Sequence, residues 1–438
     1  MQTRFTNSFL PAAAISAALL LTGCAGFSNV ATTPVPVAGA AFSGRVYGGQ
    51  QPVKNASLAL YVAATSGYGK TNTNILTKIV TTDGGGGFNI TGDYPCTAGQ
   101  QMYLVATKGD PGGGVNNNLA LMAALGDCAN LSASTNVIMN EVTTVGSAFA
   151  LAPFMTSITQ LSSSANNATG LAHAFASVNK LVNIAGGSSP GSALPAGATA
   201  PSSEIYTLAN LLALCVNSQG GTANDGSNCG NVFGLATPAG GSAPTDTIQV
   251  ALNLAHHPTL SVGPLFQLLP TQAIFGGGLP SAPNDWTLAV VYSGGGFNAP
   301  RSTTMDAQGN VWVANSGNNS VSVLAQTGVP VANTPLTGNG LAQPTAVALD
   351  ANGNAWVANS GGTTVSAFTA AGGVFSGSPF SGSSTIAAPS AIAVDAPGNI
   401  WVANKGNGSV TELSATGALV QQVKTGVSSP VALAVDPY

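Results

Sequence analysis

Among the residues that could carry chemistry in this chain is an aspartate that recurs at a nearly fixed interval. Asp306, Asp350 and Asp395 are spaced 44 and 45 residues apart, and a fourth copy begins at Asp436. A carboxylate present once in every repeat is more often a turn residue than a catalyst, because an Asp side chain accepts hydrogen bonds from the backbone that follows it. We therefore predict that these aspartates are structural, and we assign no catalytic residue.

The three histidines, His173, His256 and His257, all lie in the middle of the chain. The adjacent pair could suggest a metal site, but neighbouring residues on a helix point to different faces, and no carboxylate lies close to the pair in sequence. The better interpretation is a histidine at the end of a helix, where its charge complements the helix dipole. The sequence thus predicts no metal site and no cofactor.

The N-terminus is typical of an export signal. Arg4 precedes the apolar segment 9–21, which is too short for a transmembrane helix. The letters Leu-Thr-Gly-Cys that end at Cys24 resemble the lipobox of bacterial lipoproteins. The resemblance implies that Cys24 is acylated and becomes the mature N-terminus, and Ala25 in the next position implies the outer membrane. Ordinary cleavage nearby, leaving Cys24 as a free thiol, is the alternative.

The remaining cysteines predict two disulfides. Three pairings of Cys96, Cys128, Cys215 and Cys229 are possible. The local pairing, Cys96 with Cys128 and Cys215 with Cys229, keeps each bridge inside one predicted domain. Zinc binding is disfavoured because the chain has no Cys-x-x-Cys motif and no histidine beside these cysteines. Disulfides also agree with an exported protein.

The recurring aspartates open a longer repeat, Asp-Ala-x-Gly-Asn-x-Trp-Val-Ala-Asn. Alternating segments around each copy predict four antiparallel strands in every unit of about 40 residues, which is one propeller blade. Each tryptophan is predicted to fill the core between neighbouring blades. The recurring positions after the aspartates are Trp312, Trp356 and Trp401, with Asn315, Asn359 and Asn404.

Three units are complete, whereas propellers have about four to eight blades. We interpret residues 286–292 as the outer strand of a preceding unit and residues 430–436 as the first strand of a following one. The expectation is that the full gene continues beyond Tyr438.

Two domains are predicted between the N-terminus and the repeats. Residues 41–140 contain short alternating segments separated by glycine-rich turns, which predicts a β-sandwich. Residues 141–284 change to helical spacing, with helix caps predicted at Ser202 or Ser203 and at Asp246.

The predicted chain is multidomain and mainly β, with a β-sandwich, a helical middle segment and a C-terminal, possibly incomplete propeller. In chain order the predicted parts are a signal peptide over 1–23, a tether over 24–40, the β-sandwich over 41–140, the helical segment over 141–284 and the propeller repeats over 285–438.

The repeats resemble NHL-repeat proteins and the virginiamycin B lyase-like group over residues 299–438. This resemblance implies a β-propeller but no particular activity, since the lyases depend on a histidine and a bound metal in the propeller, and residues 285–438 contain no histidine. The β-sandwich resembles prealbumin-like, or carboxypeptidase-regulatory-like, domains at positions that include Gly44, Val46 and Phe88. That resemblance implies a role in spacing or adhesion.

Composition restricts the function further. Charged residues make up 5% of the chain, against about 25% in an average soluble protein. The absence of a basic stripe in the sequence argues against nucleic-acid binding. We expect an exported, lipid-anchored envelope protein whose propeller binds an unknown protein or glycan. The alternatives are a metal-dependent enzyme of the lyase or lactonase type and a purely structural envelope component.

Overall fold

The computed structural model describes residues 35–435. The predicted signal peptide, the predicted acylation site Cys24 and the fourth aspartate, Asp436, lie outside the described residues. The described chain begins with a β-sandwich, continues through a helical segment and ends in three antiparallel sheets.

The first sheet of the sandwich has four antiparallel strands. Apolar residues line both of its faces because both are covered. From Gln101–Thr107, Leu104 faces the sandwich core, while Tyr103 and Val105 pack toward the helices. A strand buried on both sides loses the polar–apolar alternation that marks a half-buried strand. For that reason the sequence did not reveal the strand at 120–127. Across the sheet the strands are Val80–Thr81, Ser57–Val62, Gln101–Thr107 and Ala120–Asp127.

The second sheet of the sandwich is built around Phe42–Gly48. This strand pairs antiparallel with Gly87–Ile90 and Gln51–Pro52, and parallel with Asn136–Met139. The parallel strand leads directly into the first helix. The structure also differs from the predicted tether, because Val37–Ala38 pairs with Pro95–Cys96.

Six α-helices follow in the described residues, and α1 lies at their centre. Asn140 caps α1: its side-chain oxygen accepts a hydrogen bond from the Thr143 backbone amide, and its own backbone amide donates one to the Thr143 hydroxyl oxygen. Nearly every residue of α1 is buried, since it packs on the sandwich and on three other helices. The helices are α1 (Glu141–Leu151), α2 (Ala168–Leu181), α3 (Ser202–Val216), α4 (Asn228–Leu235), α5 (Thr247–His256) and α6 (Val262–Gln267).

The predicted helix caps have different outcomes. The cap at Asp246 is confirmed, because its carboxylate accepts a hydrogen bond from the Gln249 amide at the start of α5. The cap at Ser202 or Ser203 was wrong. Helix α3 begins after Pro201, and no side chain caps it.

The strand predicted over residues 286–292 was also wrong for most of its length. Trp286 is buried in the core of the helical segment, where its indole donates a hydrogen bond to the Leu260 carbonyl. Only Val291–Tyr292 forms a strand, and it pairs with Ala198–Thr199 of the helical segment. The large indole finds its core among helices, so the segment belongs to that part of the molecule.

Three antiparallel sheets make up the C-terminal part of the described chain. The second has three strands instead of the predicted four, and its outer edge is completed by an isolated pairing of Val365 with Phe380. The first sheet contains Pro300–Met305, Val311–Asn315, Ser320–Leu324 and Leu336–Thr337. The second contains Pro344–Leu349, Ala355–Asn359 and Val365–Phe368. The third contains Pro389–Val394, Ile400–Asn404, Ser409–Leu413 and Leu419–Val423.

The three sheets pack face to face, as propeller blades do. Trp312 on the first sheet shares a core with Val347 and Val357 of the second. Trp356 on the second sheet packs with Ile392 and Val402 of the third. The first strands of the sheets lie side by side at the inner edge, where the Thr345 hydroxyl donates to the Pro389 carbonyl at 3.3 Å. Within the described residues the array is open, without a closed ring.

Candidate functional site

Each copy of the repeat uses its aspartate to tie a turn to a tryptophan. In the first sheet, one carboxylate oxygen of Asp306 accepts hydrogen bonds from the Gln308 and Asn310 amides. The other oxygen accepts from the Asn310 side chain at 2.9 Å and from the Trp312 indole at 3.1 Å. The same indole bond measures 3.3 Å at Asp350 and 2.9 Å at Asp395.

Glycine makes this turn possible. Gly309 has a φ of 80°, Gly353 one of 78° and Gly398 one of 94°. These values lie in the left-handed region that glycine tolerates without steric cost. Any other residue type would be strained at these three positions, so the glycine is what allows each turn to close.

The hydrogen bonds lower the pKa values of Asp306 and Asp395. Burial raises the pKa of Asp306, but hydrogen bonds from Trp312 and Asn310 outweigh it, so the pKa lies below its usual value. The pKa of Asp395 is lowered in the same way, with burial opposed by Trp401 and Asn399. Carboxylates that are charged and fully hydrogen-bonded within their own turn have little capacity left to bind a ligand.

The asparagine that ends each copy lies at the far end of the strand that follows the turn. A strand of five residues places it about 17 Å from the turn. Asn315 donates to the hydroxyls of Ser320 and Ser322 at 3.2 and 2.8 Å. Its oxygen accepts from the Asn298 amide. Asn359 and Asn404 make equivalent bonds in the other two sheets, so this buried layer is repeated as well.

Beyond the asparagine layer lies a polar cleft of about 420 Å³, which we call the axial cleft. It is formed where the inner strands of the first and second sheets meet. Its lining combines one guanidinium, one side-chain amide and three hydroxyls. The lining residues are Arg301, Ser316, Gln343, Thr345 and Ser360.

The polar groups of the axial cleft are only partly used by the protein. Arg301 donates from Nε to the Ser316 hydroxyl at 3.2 Å. Among residues 35–435, its two Nη groups and the Gln343 side-chain amide have no hydrogen-bond partner. The hydroxyls of Ser316 and Ser360 donate to backbone carbonyls. One lone pair of Ser316 and both of Ser360 are left able to accept.

Charge is separated between the two ends of the sheets. The repeat aspartates lie at the turn end, while Arg301 lies in the axial cleft at the opposite end. Lys405 is the residue after Asn404, the position that Ser316 and Ser360 occupy in the first two sheets. A second cation therefore lies at the same end of the sheets as Arg301. In the described part of the chain, neither cation has a carboxylate within 4.0 Å.

The sequence contained one signal for the axial cleft. Within otherwise copied units, the residue after the first proline changes from Arg301 to Thr345 to Ser390. The residue after the final asparagine changes from Ser316 and Ser360 to Lys405. Positions that differ between the repeats, while their neighbours stay the same, do not have the structural role that the repeated residues have.

The structure contains the two local disulfides. Cys96 is bonded to Cys128 with the Cα atoms 5.8 Å apart, and this bridge fastens a short strand to the end of the first sandwich sheet. Cys215 is bonded to Cys229 with the Cα atoms 4.2 Å apart, which joins the end of α3 to α4.

The histidines do not come together. His256 lies in the last turn of α5, where its Nε2 is 2.8 Å from the Ala152 carbonyl at the end of α1. His173 lies on α2, next to the first propeller sheet. Over residues 35–435 no group of His, Cys, Asp and Glu side chains is arranged to hold a metal ion.

Over the same range, the chain forms no helix with the length and apolar character needed to cross a membrane.

No protein-family model matches the chain, and no curated protein matches it. Among solved structures it is similar to virginiamycin B lyase from Staphylococcus aureus, at 17% identity and a TM-score of 0.27, over 30% of this chain and 43% of that one. It is similar to a streptogramin B lyase at 18% identity and a TM-score of 0.28, over 33% and 47% of the two chains. A chain of a nidogen–laminin complex matches at 16% identity and a TM-score of 0.25, over 31% and 51%. This chain therefore spans about half, or less, of the length of these structures.

Proposed function

We propose that the protein is a lipid-anchored component of a bacterial envelope whose propeller-type sheets bind a hydroxyl-rich or acidic ligand, such as an envelope glycan. The axial cleft is the binding site. Catalysis has no role in this proposal, since the repeated carboxylates are consumed by the turns that they stabilise.

The observation that carries the proposal is the set of uncommitted donors and acceptors in the axial cleft. A guanidinium with free Nη groups binds carboxylates and vicinal hydroxyls through paired hydrogen bonds. The hydroxyls of Ser316 and Ser360, together with the Gln343 amide, offer acceptors and donors to a sugar ring.

The envelope location rests on the N-terminal sequence and the disulfides. Two disulfides fit an oxidising compartment outside the cytosol. The lipobox resemblance at Cys24 would then supply the anchor, since each buried methylene of an acyl chain contributes about 0.8 kcal/mol to membrane binding. Labelling cells with a radioactive fatty acid tests this step: incorporation should depend on Cys24, and an unlabelled wild-type protein refutes the anchor.

The binding step is tested by titrating the purified protein with fractionated envelope polysaccharides. Arg301→Ala should weaken binding at least tenfold, because it removes the charged donor of the cleft. Arg45→Ala is the matched control, since Arg45 lies on the sandwich and its bond is to the nearby Tyr47. Equal affinity of the two variants would refute the axial cleft as the site. Tight stoichiometric metal binding would instead favour an enzyme of the lyase or lactonase type.

A further inference from the structure

A second cleft, which we call the α2 cleft, lies between helix α2 and the first propeller sheet. Its volume is about 500 Å³. The sheet contributes Val311 and Val313, which alternate with Trp312 and therefore point away from the second sheet. Between two blades of a propeller, this face of the first sheet would pack on a neighbouring blade. In this protein it faces helix α2 instead.

The two walls of the α2 cleft differ in chemistry. The sheet wall is aliphatic, with Val311, Val313 and Leu324 across its floor. The helix wall presents His173, Ser177 and Lys180. These residues are spaced by four and three positions, so they lie on one face of α2. An apolar cavity with a few polar groups on one side is the usual form of a small-molecule site, and its volume falls in the common range of about 300–1,000 Å³.

Lys180 is the charged group of the cleft, and it lacks a counter-charge. Its ammonium donates to the Tyr292 hydroxyl at 3.2 Å and to the Gln326 carbonyl at 3.1 Å. It also lies 5.7 Å from the centre of the Tyr292 ring. No carboxylate of residues 35–435 lies within 4.0 Å of it. A half-buried ammonium held by neutral acceptors alone is stabilised further by a bound anion.

A second chamber with mostly apolar walls also reaches Lys180. It has a volume of about 400 Å³ and shares Ser177, Lys180 and Tyr292 with the α2 cleft. Its further walls include Phe149, Leu288 and other apolar residues. The cation therefore borders two spaces whose walls are mostly apolar, which suits an amphiphile whose charged head is followed by a flexible chain.

We propose that the α2 cleft binds an aliphatic monocarboxylate of medium to long chain, such as a free fatty acid. The carboxylate accepts a hydrogen bond from the ammonium of Lys180, which has one N–H beyond the two already used. The hydrocarbon chain lies along Val311, Val313 and Leu324. Met305 extends the aliphatic surface, and Phe297 and Tyr292 also line the cleft. The continuous aliphatic side chains of the sheet favour a flexible hydrocarbon chain. This site is separate from the axial cleft, so either proposal can fail alone.

The test is calorimetric titration of the full-length purified protein with dodecanoate below its micelle concentration. Dodecan-1-ol, which has the same chain without the charge, is the matched ligand. Dodecanoate should saturate one site and bind at least tenfold more tightly than the alcohol. Lys180→Met should remove that difference, while Lys424→Met, at an exposed lysine directly after the third sheet, should leave it intact.

A second variant tests the cavity without touching the charge. Ala176 is exposed on α2 and lines the cleft, so Ala176→Trp should fill the cavity and abolish binding while the melting temperature stays within a few degrees of wild type. The proposal is overturned if dodecanoate shows no saturable binding. It is equally overturned if Lys180→Met binds dodecanoate as wild type does, or if Ala176→Trp retains full affinity.

Discussion

The sandwich-and-helix body and the propeller-type sheets satisfy their buried polar groups in opposite ways. In the sheets, Asp306 bonds residues four and six positions ahead, and Asn315 bonds residues five and seven ahead. In the body, the partners are remote. Glu141 accepts from the Gly49 amide across 92 positions, and Asn116 donates to the Cys215 carbonyl across 99.

This difference determines how each part responds to change. A local bond set is formed within one repeat, so its loss should weaken one interface between sheets. A remote bond in the body connects the sandwich to the helices, so its loss should affect both. Three predictions test this comparison, beginning with the largest expected effect.

Trp356→Ala should cause the largest loss of stability. The indole is fully buried between the second and third sheets and donates to Asp350, so its removal leaves a cavity and an unpaired acceptor. Replacement of a buried tryptophan by alanine costs about 3–5 kcal/mol. Trp401→Ala should cost clearly less, because Trp401 is only half-buried on the last sheet. Urea unfolding of both variants measures the difference, and equal losses would contradict the described packing.

Glu141 should make the unfolding free energy of the body depend on pH, by an amount similar to the loss expected for Trp356→Ala. Burial raises the pKa of Glu141 to about 8, against hydrogen bonds from the Glu141 and Gly49 amides that lower it. The folded pKa lies above the unfolded value, so the contribution to stability is complete below the unfolded pKa and is lost as the pH rises toward 8. Proton linkage converts this shift into a fall of about 3 kcal/mol between about pH 5 and pH 8.

Glu141→Gln is the control for that prediction, since the amide oxygen can still accept from Gly49. Its unfolding free energy should lack the component that declines between pH 5 and pH 8. Wild-type and variant curves that run parallel over that range would show that Glu141 is not the group responsible.

Asp306→Asn should give a smaller loss, confined to the first sheet. Asparagine keeps one oxygen acceptor but presents an amide where the carboxylate accepted from Asn310 and Trp312. We expect a loss of about 1 kcal/mol, because the group is partly open to solvent. The folded pKa of Asp306 lies below its usual value. The carboxylate's contribution is therefore present above the unfolded pKa and is lost as the pH falls through the folded one. A variant whose loss persists unchanged at low pH would contradict this.

The repeat region was the part that the sequence predicted well, and the physical reason is the locality of its bonds. The turn at Asp395, the glycine at 398 and the burial of Trp312 and Trp356 all follow from spacings inside one unit. Because three copies of the spacing occur in the sequence, each copy supports the interpretation of the others.

The body could not be predicted to the same depth, because its contacts join distant segments. Nothing near Glu141 in sequence indicates that its carboxylate meets the Gly49 amide. The sequence predicts a propeller strand at Trp286, which is wrong. The hydrogen-bond partner of its indole, Leu260, lies 26 residues away among the helices, so no local pattern reveals the contact. The α2 cleft was missed for the same reason, as it requires α2 and the first sheet to meet.

The most direct test compares Arg301→Ala with Asp306→Asn in one experiment that measures both polysaccharide affinity and unfolding free energy. The account predicts a double separation: Arg301→Ala loses affinity at least tenfold with stability unchanged, and Asp306→Asn loses stability with affinity unchanged. If Asp306→Asn abolishes binding while Arg301→Ala binds normally, the turn end of the sheets is the functional end and the account is contradicted.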